Sequence, residues 1–424
     1  MIAAMSTALS ASATERFPIH AADQCVKCGI CLPHCPTYRA TRDEGDSPRG
    51  RIMLMQGLAT GMLPANEKLE AHLDGCLSCR ACEAVCPAEV PYGRLIDSVR
   101  EILVSAKPQR AWVARLMAAV LIRKPLRFIL VLALLAYQRM GVQWLVRKFH
   151  LLGRGRLGRL ESLLPTIHFP RLPKANPSPY PLPQGEGGNN HVALFVNCTS
   201  PLVEPETLQA SVRLLKALGC QVTAPRAQTC CGAIHQHAGL AADARNCATK
   251  NLHAFEGAES VVGVASGCTA QLVEYGDLLP GPEGESFARK SVDLHRYLIE
   301  HPASDRLRFK PLRAQVLLHT PCTLRNVLKT DAAVRQLLAR IPGLKVDSLD
   351  SGCCGAAGSY FLTQPEMADK LLESKLEMIR REPPDYVLSS NVGCSMHLAA
   401  GMRRAGLKSP VWHPARLLAQ QLDG

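Results

Sequence analysis

Eight of the 18 cysteines of this 424-residue chain stand in two short runs that share one spacing. The first run, CVKCGICLPHCP, covers residues 25–36, and the second, CLSCRACEAVCP, covers residues 76–87. Both follow the pattern C-x2-C-x2-C-x3-C-P. Thiolates bind soft metal centres, and four of them in one short loop can enclose one centre. The two runs therefore predict metal binding.

The spacing favours iron–sulfur clusters over zinc. Zinc sites usually join two separated cysteine pairs, whereas each run here has three cysteines at steps of three residues and then a fourth. Two-cluster ferredoxins have this spacing, and their fourth cysteine ligates the other cluster. We therefore predict two [4Fe-4S] clusters with crossed ligation. The first predicted set is Cys25, Cys28, Cys31 and Cys86, and the second is Cys76, Cys79, Cys82 and Cys35.

Length and composition argue against a disulfide framework, which is typical of short secreted domains. The chain is 47% hydrophobic, and residues 1–17 lack both the basic region and the continuous apolar region of a secretory signal. We expect a cytoplasmic protein of two or three domains. Between the cysteine runs, residues 36–75 predict short helices, and Asp46 with Arg49–Arg51 is interpreted as a solvated turn rather than a tuning or docking site.

The segment that follows is strongly basic. Residues 102–160 contain twelve Lys or Arg residues and no Asp or Glu, which accounts for nearly all of the formal net charge of +13. The segment matches no nucleic-acid recognition motif, and its longest uncharged run, residues 128–138, is shorter than the roughly 20 residues that a spanning helix needs. Two alternatives remain: an amphipathic helix pair with Trp112 and Trp144 in an anionic membrane interface or on a partner, or a hairpin packed inside the protein.

The C-terminal half repeats itself after a proline-rich stretch. Six prolines fall within residues 170–183, which predicts a linker. Beyond it, TCCGA is echoed by GCCGA, and the matching cysteines lie 124, 123 and 126 positions apart. Each copy predicts three strands alternating with helices and cysteines at the strand ends, where open α/β sheets bind ligands. Cys220 and Cys247 have no counterpart in the other copy and are interpreted as buried residues without a ligand role.

Two ferredoxin-type runs followed by two Cys-Cys-Gly domains resemble the family that includes the glycolate oxidase iron–sulfur subunit, lactate-utilisation iron–sulfur proteins, an anaerobic glycerol-3-phosphate dehydrogenase subunit and heterodisulfide reductase. The segments SGCTAQLVEYG, CCGAAGSY and SSNVGCSMHL are most similar to the glycolate oxidase branch. In heterodisulfide reductase each such domain holds a noncubane cluster through five cysteines. Here Gln271 and His397 replace the fifth. The resemblance therefore implies only two candidate four-thiol iron–sulfur sets, namely Cys198, Cys230, Cys231 and Cys268, and Cys322, Cys353, Cys354 and Cys394.

The resemblance implies an electron-transfer subunit. A flavin is the usual link between two-electron substrates and one-electron carriers, and this chain has no convincing dinucleotide motif, so FAD is expected on a partner flavoprotein. The expected reaction is oxidation of glycolate to glyoxylate on that partner, with electrons passing toward a quinone or other membrane acceptor at the inner face of the cytoplasmic membrane. The alternatives are a lactate or glycerol-3-phosphate system, a disulfide-reducing enzyme, or a non-catalytic iron–sulfur sensor. The histidines near the C-terminal cysteines, His235, His237 and His319, are interpreted as ordinary polar turn residues.

The predicted fold is multidomain: a mainly α-helical ferredoxin domain, a basic amphipathic helical segment and two repeated α/β Cys-Cys-Gly domains. The predicted boundaries are a disordered tail at 1–16, the ferredoxin domain at 17–101, the basic segment at 102–168, a Pro/Gly-rich linker at 169–190, and the two Cys-Cys-Gly domains at 191–310 and 311–424.

Overall fold

Short helices surround the N-terminal cysteine runs. The computed structural model describes residues 17–149, 151–153, 156–169, 191–349 and 352–423. The predicted tail, and all of the predicted linker except residue 169, lie outside the described residues. The N-terminal helices are α1 (Ile19–Asp23), α2 (Pro36–Thr41), α3 (Pro48–Ala59), α4 (Glu67–Asp74), α5 (Ala81–Ala84) and α6 (Tyr92–Ala106), with 3-10 turns at Leu32–His34 and Glu44–Asp46.

Local capping fixes where these helices begin. The Ser47 hydroxyl accepts a hydrogen bond from the Gly50 amide at 2.9 Å, and Pro48 occupies the first position of α3. At α4 the Asn66 side chain accepts from the Leu69 amide at 2.9 Å. The helices enclose one apolar core, in which Met55 and Leu95 are fully buried. This core holds the cysteine loops in place.

The basic segment is helical. Its elements are a 3-10 turn at Pro108–Ala111, α7 (Trp112–Ile122), α8 (Lys124–Arg139), α9 (Val142–Lys148) and α10 (Arg156–Leu163). Val131 and Leu135 of α8 are buried against Leu202, while Trp112 and Trp144 remain 62% and 58% exposed. Within the described ranges, no single helix is long and apolar enough to cross a bilayer; Pro125–Arg139 and Val142–Lys148, bent by 62°, qualify only as a pair and only by length and composition.

The C-terminal half contains two parallel sheets of four strands. The first is ordered β2-β1-β3-β4 and the second β6-β5-β7-β8. The strands are β1 (His191–Phe195), β2 (Gln221–Thr223), β3 (Ser260–Gly263), β4 (Ser291–Asp293), β5 (Ala314–His319), β6 (Leu344–Leu349), β7 (Tyr386–Ser389) and β8 (Val411–Trp412). Val192 is paired with Val222 and Ser260, and the equivalent Val316 is paired with Val346 and Tyr386. The α/β architecture predicted from the repeat is confirmed, and each sheet has a fourth, edge strand that was not predicted.

Helices cover both sheets, as the near-continuous apolar strands require. The helices of the first half are α11 (Ser200–Val203), α12 (Pro205–Ala217), α13 (Ala233–His237), α14 (Ala241–Ala254), α15 (Ser266–Val273), α16 (Tyr275–Leu278), α17 (Pro282–Lys290) and α18 (Leu294–Glu300). A 3-10 turn at Ser304–Arg306 precedes the second half, which contains a π-helix (Leu324–Leu328), α19 (Asp331–Ala339), α20 (Tyr360–Thr363), α21 (Pro365–Arg381), α22 (Val392–Arg404) and α23 (Pro414–Gln421). A single apolar cluster joins the two halves and includes Leu194, Leu215, Leu318 and Leu418.

One carboxyl group in the first half makes stability depend on pH. Glu204 follows α11 and accepts a hydrogen bond from the Ser200 hydroxyl at 2.9 Å. Burial raises the pKa of Glu204 from about 4.5 to about 7, despite the opposing hydrogen bonds from Ser200 and Thr207. A carboxyl group whose pKa is raised in the folded state favours folding most at low pH, where the group is protonated. This contribution to stability is lost as the pH rises through 7.

We therefore expect Glu204→Gln to be more stable than the native chain by about 2 kcal/mol at pH 8 and nearly equal to it at pH 5. Anaerobic chemical denaturation at both pH values measures the difference. Glu300→Gln, at an exposed carboxylate paired with Arg296, serves as the control and should show no such pH dependence. Equal effects of Glu204→Gln at pH 5 and pH 8 would contradict the prediction.

Candidate iron–sulfur centres

Both N-terminal cysteine loops are curled by left-handed backbone at equivalent positions. Lys27 (φ 58°) and Gly29 (φ 85°) flank Cys28, and Ser78 (φ 50°) and Arg80 (φ 57°) flank Cys79. Residues other than glycine rarely adopt this conformation. Its repetition on both sides of the second cysteine shows that the two loops have one shape, of the kind that is kept at functional sites.

A cavity is lined by thiols from both loops. They are Cys76, Cys79 and Cys82 of the second loop and Cys35 of the first, which is the crossed set that the spacing predicts. The Ser78 amide donates to the Cys76 sulfur at 3.4 Å, and the Tyr92 hydroxyl donates to it at 3.7 Å. Four soft ligands, with N–H and O–H donors directed at sulfur, fit an iron–sulfur cluster.

Arg51 supplies a buried positive charge beside this cavity. Its side chain is 1% exposed and donates to the Thr37 hydroxyl at 2.9 Å and the Asp46 carboxylate at 3.2 Å. The Thr37 hydroxyl lies 3.2 Å from the Cys35 sulfur. The interpretation of this region as a solvated turn is therefore wrong for Arg51, although it fits Arg49, which forms an exposed ion pair with Glu44.

Burial and neighbouring thiols control protonation at this site. Burial raises the pKa of Cys82, and the negative charges of Cys79 and Cys76 raise it further. Burial opposes ionisation of Arg51, but the surrounding thiolates, Cys76 first, raise its pKa overall. The site therefore disfavours several bare thiolates together, and a cationic metal centre would relieve their repulsion.

The other predicted set lies nearer the surface. Cys25, Cys31 and Cys86 are half-buried and pack against the helical core, whereas Cys28 is exposed. Burial raises the pKa of the Cys31 thiol, as do the charges of Cys25 and Cys28, while a hydrogen bond from the Arg49 backbone lowers it. The structure thus groups the three cysteines of the loop and places Cys86 on the same core.

In the first C-terminal half, cysteine-bearing segments follow the carboxyl ends of three neighbouring strands. Cys198 follows β1, Cys230 and Cys231 follow β2, and Cys268 lies in the first turn of α15 after β3. Hydrogen bonds from Cys198 and Cys231 lower the pKa of Cys230, and a further hydrogen bond links Cys231 to Cys268. The fold therefore links the four thiols of this predicted set as a series of neighbouring pairs, from Cys198 through Cys230 and Cys231 to Cys268.

The second half repeats this arrangement and adds a histidine. The sulfurs of Cys354 and Cys394 lie 2.9 Å apart, and the hydrogen bond from Cys354 lowers the pKa of Cys394 to about 6, with a further contribution from the neighbouring His319. The His319 ring is fully buried, and one of its nitrogens lies within 4.8 Å of both sulfurs. His319 ends β5, so its interpretation as a turn residue is wrong.

These donors fit a metal centre. Among the described residues, neither ring nitrogen of His319 has a conventional hydrogen-bond partner, which is costly for a buried polar group. Cysteine and histidine are both ligands for iron and zinc. Phe195 occupies the equivalent last position of β1, so a sequence comparison of the two copies could have singled out His319.

Side chains of the second half donate hydrogen bonds to backbone carbonyls at the second N-terminal loop. The Asn326 side chain donates to the Cys79 carbonyl at 2.7 Å, and the Tyr360 hydroxyl donates to the Gly75 carbonyl at 3.1 Å. Burial raises the pKa of Cys79, and the charge of Cys353 is the next largest cause. The crossed site and the second cysteine-rich site are therefore electrostatic neighbours.

The first half contacts the N-terminal helices through different groups. Asp97 lies 3.2 Å from His237, Arg100 donates to the His237 carbonyl at 3.1 Å, and Arg80 pairs with Glu274. The two cysteine-rich sites also meet each other, since the Ser266 amide donates to the Ser390 carbonyl at 3.0 Å. All four cysteine groups thus belong to one connected region.

Family models match most of this region. A 4Fe-4S dicluster domain matches residues 21–90, and a cysteine-rich domain matches residues 192–273 and again residues 316–399. The probable glycolate oxidase iron-sulfur subunit of Bacillus subtilis is 34% identical over 91% of this chain and 90% of its own length. This chain belongs to the glycolate oxidase iron–sulfur subunit family.

Other members differ in how much of the chain they share. The glycolate oxidase iron-sulfur subunit of Escherichia coli is 33% identical over 94% of both chains. Lactate utilization protein A of Oceanobacillus iheyensis is 28% identical over 55% of this chain and 98% of its own length. The extended match is therefore to the glycolate oxidase branch of the family.

The residues at the fifth-cysteine positions are both buried. Gln271 is 4% exposed and His397 is 2% exposed. His397 lies 3.4 Å from the Ala368 carbonyl and beside the Phe361 ring. The contacts of His397 are those of a packed side chain, so the donors that the second half brings together are its four thiols and His319.

Crossed ligation leads to a specific mutational prediction. Cys35→Ser should disrupt the cluster site formed by the second loop, because Cys35 lines the cavity with Cys76, Cys79 and Cys82. Cys86→Ser should instead perturb the site of the first loop. Electron paramagnetic resonance of each reduced variant distinguishes the two cluster signals. If Cys35→Ser removes only the signal assigned to Cys25, Cys28 and Cys31, the crossed assignment is wrong.

Proposed function

We propose that this chain is the iron–sulfur electron-transfer subunit of a glycolate oxidase complex. The observation that carries the proposal is the connected region of cysteine sites, combined with family membership over nine-tenths of the chain. In this proposal a partner flavoprotein oxidises glycolate to glyoxylate, and this chain passes the electrons toward a quinone or another membrane acceptor. FAD and the catalytic base are placed on partner subunits.

The proposed ligand sets are the crossed sets, one for each N-terminal [4Fe-4S] cluster. When bound, such clusters carry single electrons at potentials set by burial, charge and hydrogen bonds to sulfur. The chain's own residues would tune the second site through Tyr92, Thr37 and the buried cation of Arg51. A positive charge close to a cluster favours its reduced form electrostatically.

The two C-terminal sets are proposed as further metal centres, with iron–sulfur as the first candidate. The four thiols gathered at the strand ends of each half support this assignment, as does His319 in the second half. The alternative is a packing role, since all four cysteines of the second set are buried or half-buried. The absence of a fifth cysteine in either half weighs against disulfide reduction of the heterodisulfide-reductase type.

A lactate-oxidising system is the second candidate function. It is supported by the lactate utilization relatives, although these match only about half of the chain. The electron-transfer role would be the same, and only the substrate of the partner flavoprotein would differ.

Substrate-driven reduction tests the proposed function. The complex of this chain with its co-expressed flavoprotein partners is isolated anaerobically, and the visible iron–sulfur absorption is followed after glycolate is added. We expect rapid bleaching with glycolate and slower bleaching with lactate or glycerol 3-phosphate. Faster bleaching with lactate would favour the second candidate, and no bleaching with any of the three would contradict the electron-transfer role.

We also propose that the basic helical segment, α7 to α10, attaches peripherally to the cytoplasmic face of an anionic membrane. Its exposed apolar side chains include Trp112, Leu116, Ile129 and Trp144. Lys148 lies 4.4 Å from the Trp144 ring, so cationic and aromatic groups are adjacent. Aromatic rings and basic side chains are the groups that bind membrane interfaces.

Vesicle cosedimentation tests this attachment. We expect the complete, cluster-loaded chain to bind vesicles containing phosphatidylserine and to dissociate as salt increases, because surface charges are screened. Replacing Trp112 and Trp144 with Ser should weaken binding about tenfold or more, whereas Met62→Ser, which changes an exposed apolar residue in the loop between α3 and α4, should not. Binding that is insensitive to salt, or equally weakened by Met62→Ser, would contradict this attachment.

A further inference from the structure

A basic cleft lies between the N-terminal cysteine loops and the second C-terminal half. It encloses about 1440 Å³, including its open mouth. Its lining includes four cationic side chains, Arg39, Arg325, Lys329 and Arg335, and three cysteines, Cys79, Cys322 and Cys353. No Asp or Glu lines the cleft in the part of the chain that the structure describes. We call this surface the basic cleft.

The backbone around the cleft is unusual. Leu324–Leu328 forms a π-helix, and Lys329, which ends it, has a left-handed φ of 54°. π-helical turns and left-handed residues other than glycine cost stability and are frequent at functional sites. Two hydrogen bonds join the segments that line the cleft. Asn326 donates to the Cys79 carbonyl at 2.7 Å, and Arg335 donates to the Ser348 hydroxyl at 2.8 Å.

The first C-terminal half shows that the fold does not require cations at this point. Counted from Cys198, the positions that correspond to Arg325 and Lys329 are Pro201 and Pro205, and both prolines are buried. The neighbouring Leu202 packs against Val131 and Leu135 of α8. The same position is therefore apolar and covered in the first half, but cationic and open in the second.

The position of the cleft is typical of ligand sites. It lies beside the carboxyl end of β6, where Ser348 and Leu349 contribute to its lining. Open α/β sheets bind ligands at this edge, and small-molecule sites are common where two domains meet. Guanidinium and ammonium groups around a concave surface select carboxylate or phosphate oxygens.

We propose that the basic cleft binds a small anionic molecule through carboxylate or phosphate oxygens, with Lys329 and Arg335 as direct contacts. The ligand would then lie beside Cys79 of the crossed site and beside Cys322 and Cys353 of the second cysteine-rich site. This inference does not depend on which substrate the partner flavoprotein oxidises.

Titration calorimetry on the complete, cluster-loaded chain under anaerobic conditions tests the proposal. The probes are pyrophosphate and malonate at constant ionic strength, so that phosphate and carboxylate recognition are measured separately. Lys329→Gln and Arg335→Gln should each weaken binding of the preferred probe about tenfold or more, because each removes a charged hydrogen-bond donor. Arg313→Gln is the matched control, since Arg313 is exposed and lies just before β5, at the amino end of the strand and away from the cleft. This variant should leave binding unchanged.

The outcomes separate the possible roles of the cations. Stronger binding of pyrophosphate assigns a phosphate-bearing ligand, and stronger binding of malonate assigns a carboxylate. Absence of binding by either probe at millimolar concentration would overturn the proposal, as would equal weakening by Arg313→Gln. If the two cleft variants lose assembly with the flavoprotein but the native chain binds neither probe, the cleft is a protein-docking surface instead. Lys329 is exposed on a loop, so Lys329→Gln tests the cleft even if Arg335→Gln impairs folding.

Discussion

Thiolate charge confined to small buried spaces is the constraint on which this structure depends. Two or more ionised sulfurs within a few ångströms repel each other, and burial removes the water that would screen them. Within the second C-terminal set, the pKa of Cys354 is raised and that of the adjacent Cys353 is lowered, so neighbouring thiols of one set hold their protons unequally. A metal centre bound there would resolve this conflict, and the buried Arg51 with its hydrogen-bonded Thr37 contributes in the same direction.

The surrounding fold places thiols next to each other by two different means. In the N-terminal region, left-handed residues such as Lys27 and Ser78 curl short loops, and a core of helices holds these loops face to face. In the C-terminal halves, parallel strands deliver three separate segments to one sheet edge, so no loop has to be strained around all four thiols. Because the crossed site contacts the second half through Asn326 and Tyr360, the curled N-terminal loops lie next to the strand ends of that half.

The sequence predicts the elements whose signal is local. Cysteine spacing predicts the crossed N-terminal set that lines a common cavity, and the repeat predicts α/β halves with cysteines after the strands. Contacts between distant segments carry no such signal. Nothing in the residues around Arg51 indicates that its guanidinium is enclosed by Asp46, Thr37 and the His72 carbonyl. The burial of His319 likewise depends on its register at the end of β5, and the edge strands are too short to have a clear periodicity.

The two C-terminal halves share one arrangement of strands but differ in the side chains at equivalent positions. At the end of the first strand one half has Phe195, which stacks on Phe255 at 5.9 Å, and the other has His319 beside two thiols. After the first cysteine, one half has buried prolines on either side of Leu202, which packs against α8, and the other has the cations of the basic cleft. Each difference places more polar side chains in the second half, whose Asn326 and Tyr360 donate hydrogen bonds to the backbone beside the crossed N-terminal site. The second half therefore has a cationic surface and a buried histidine where the first half has apolar side chains at the equivalent positions.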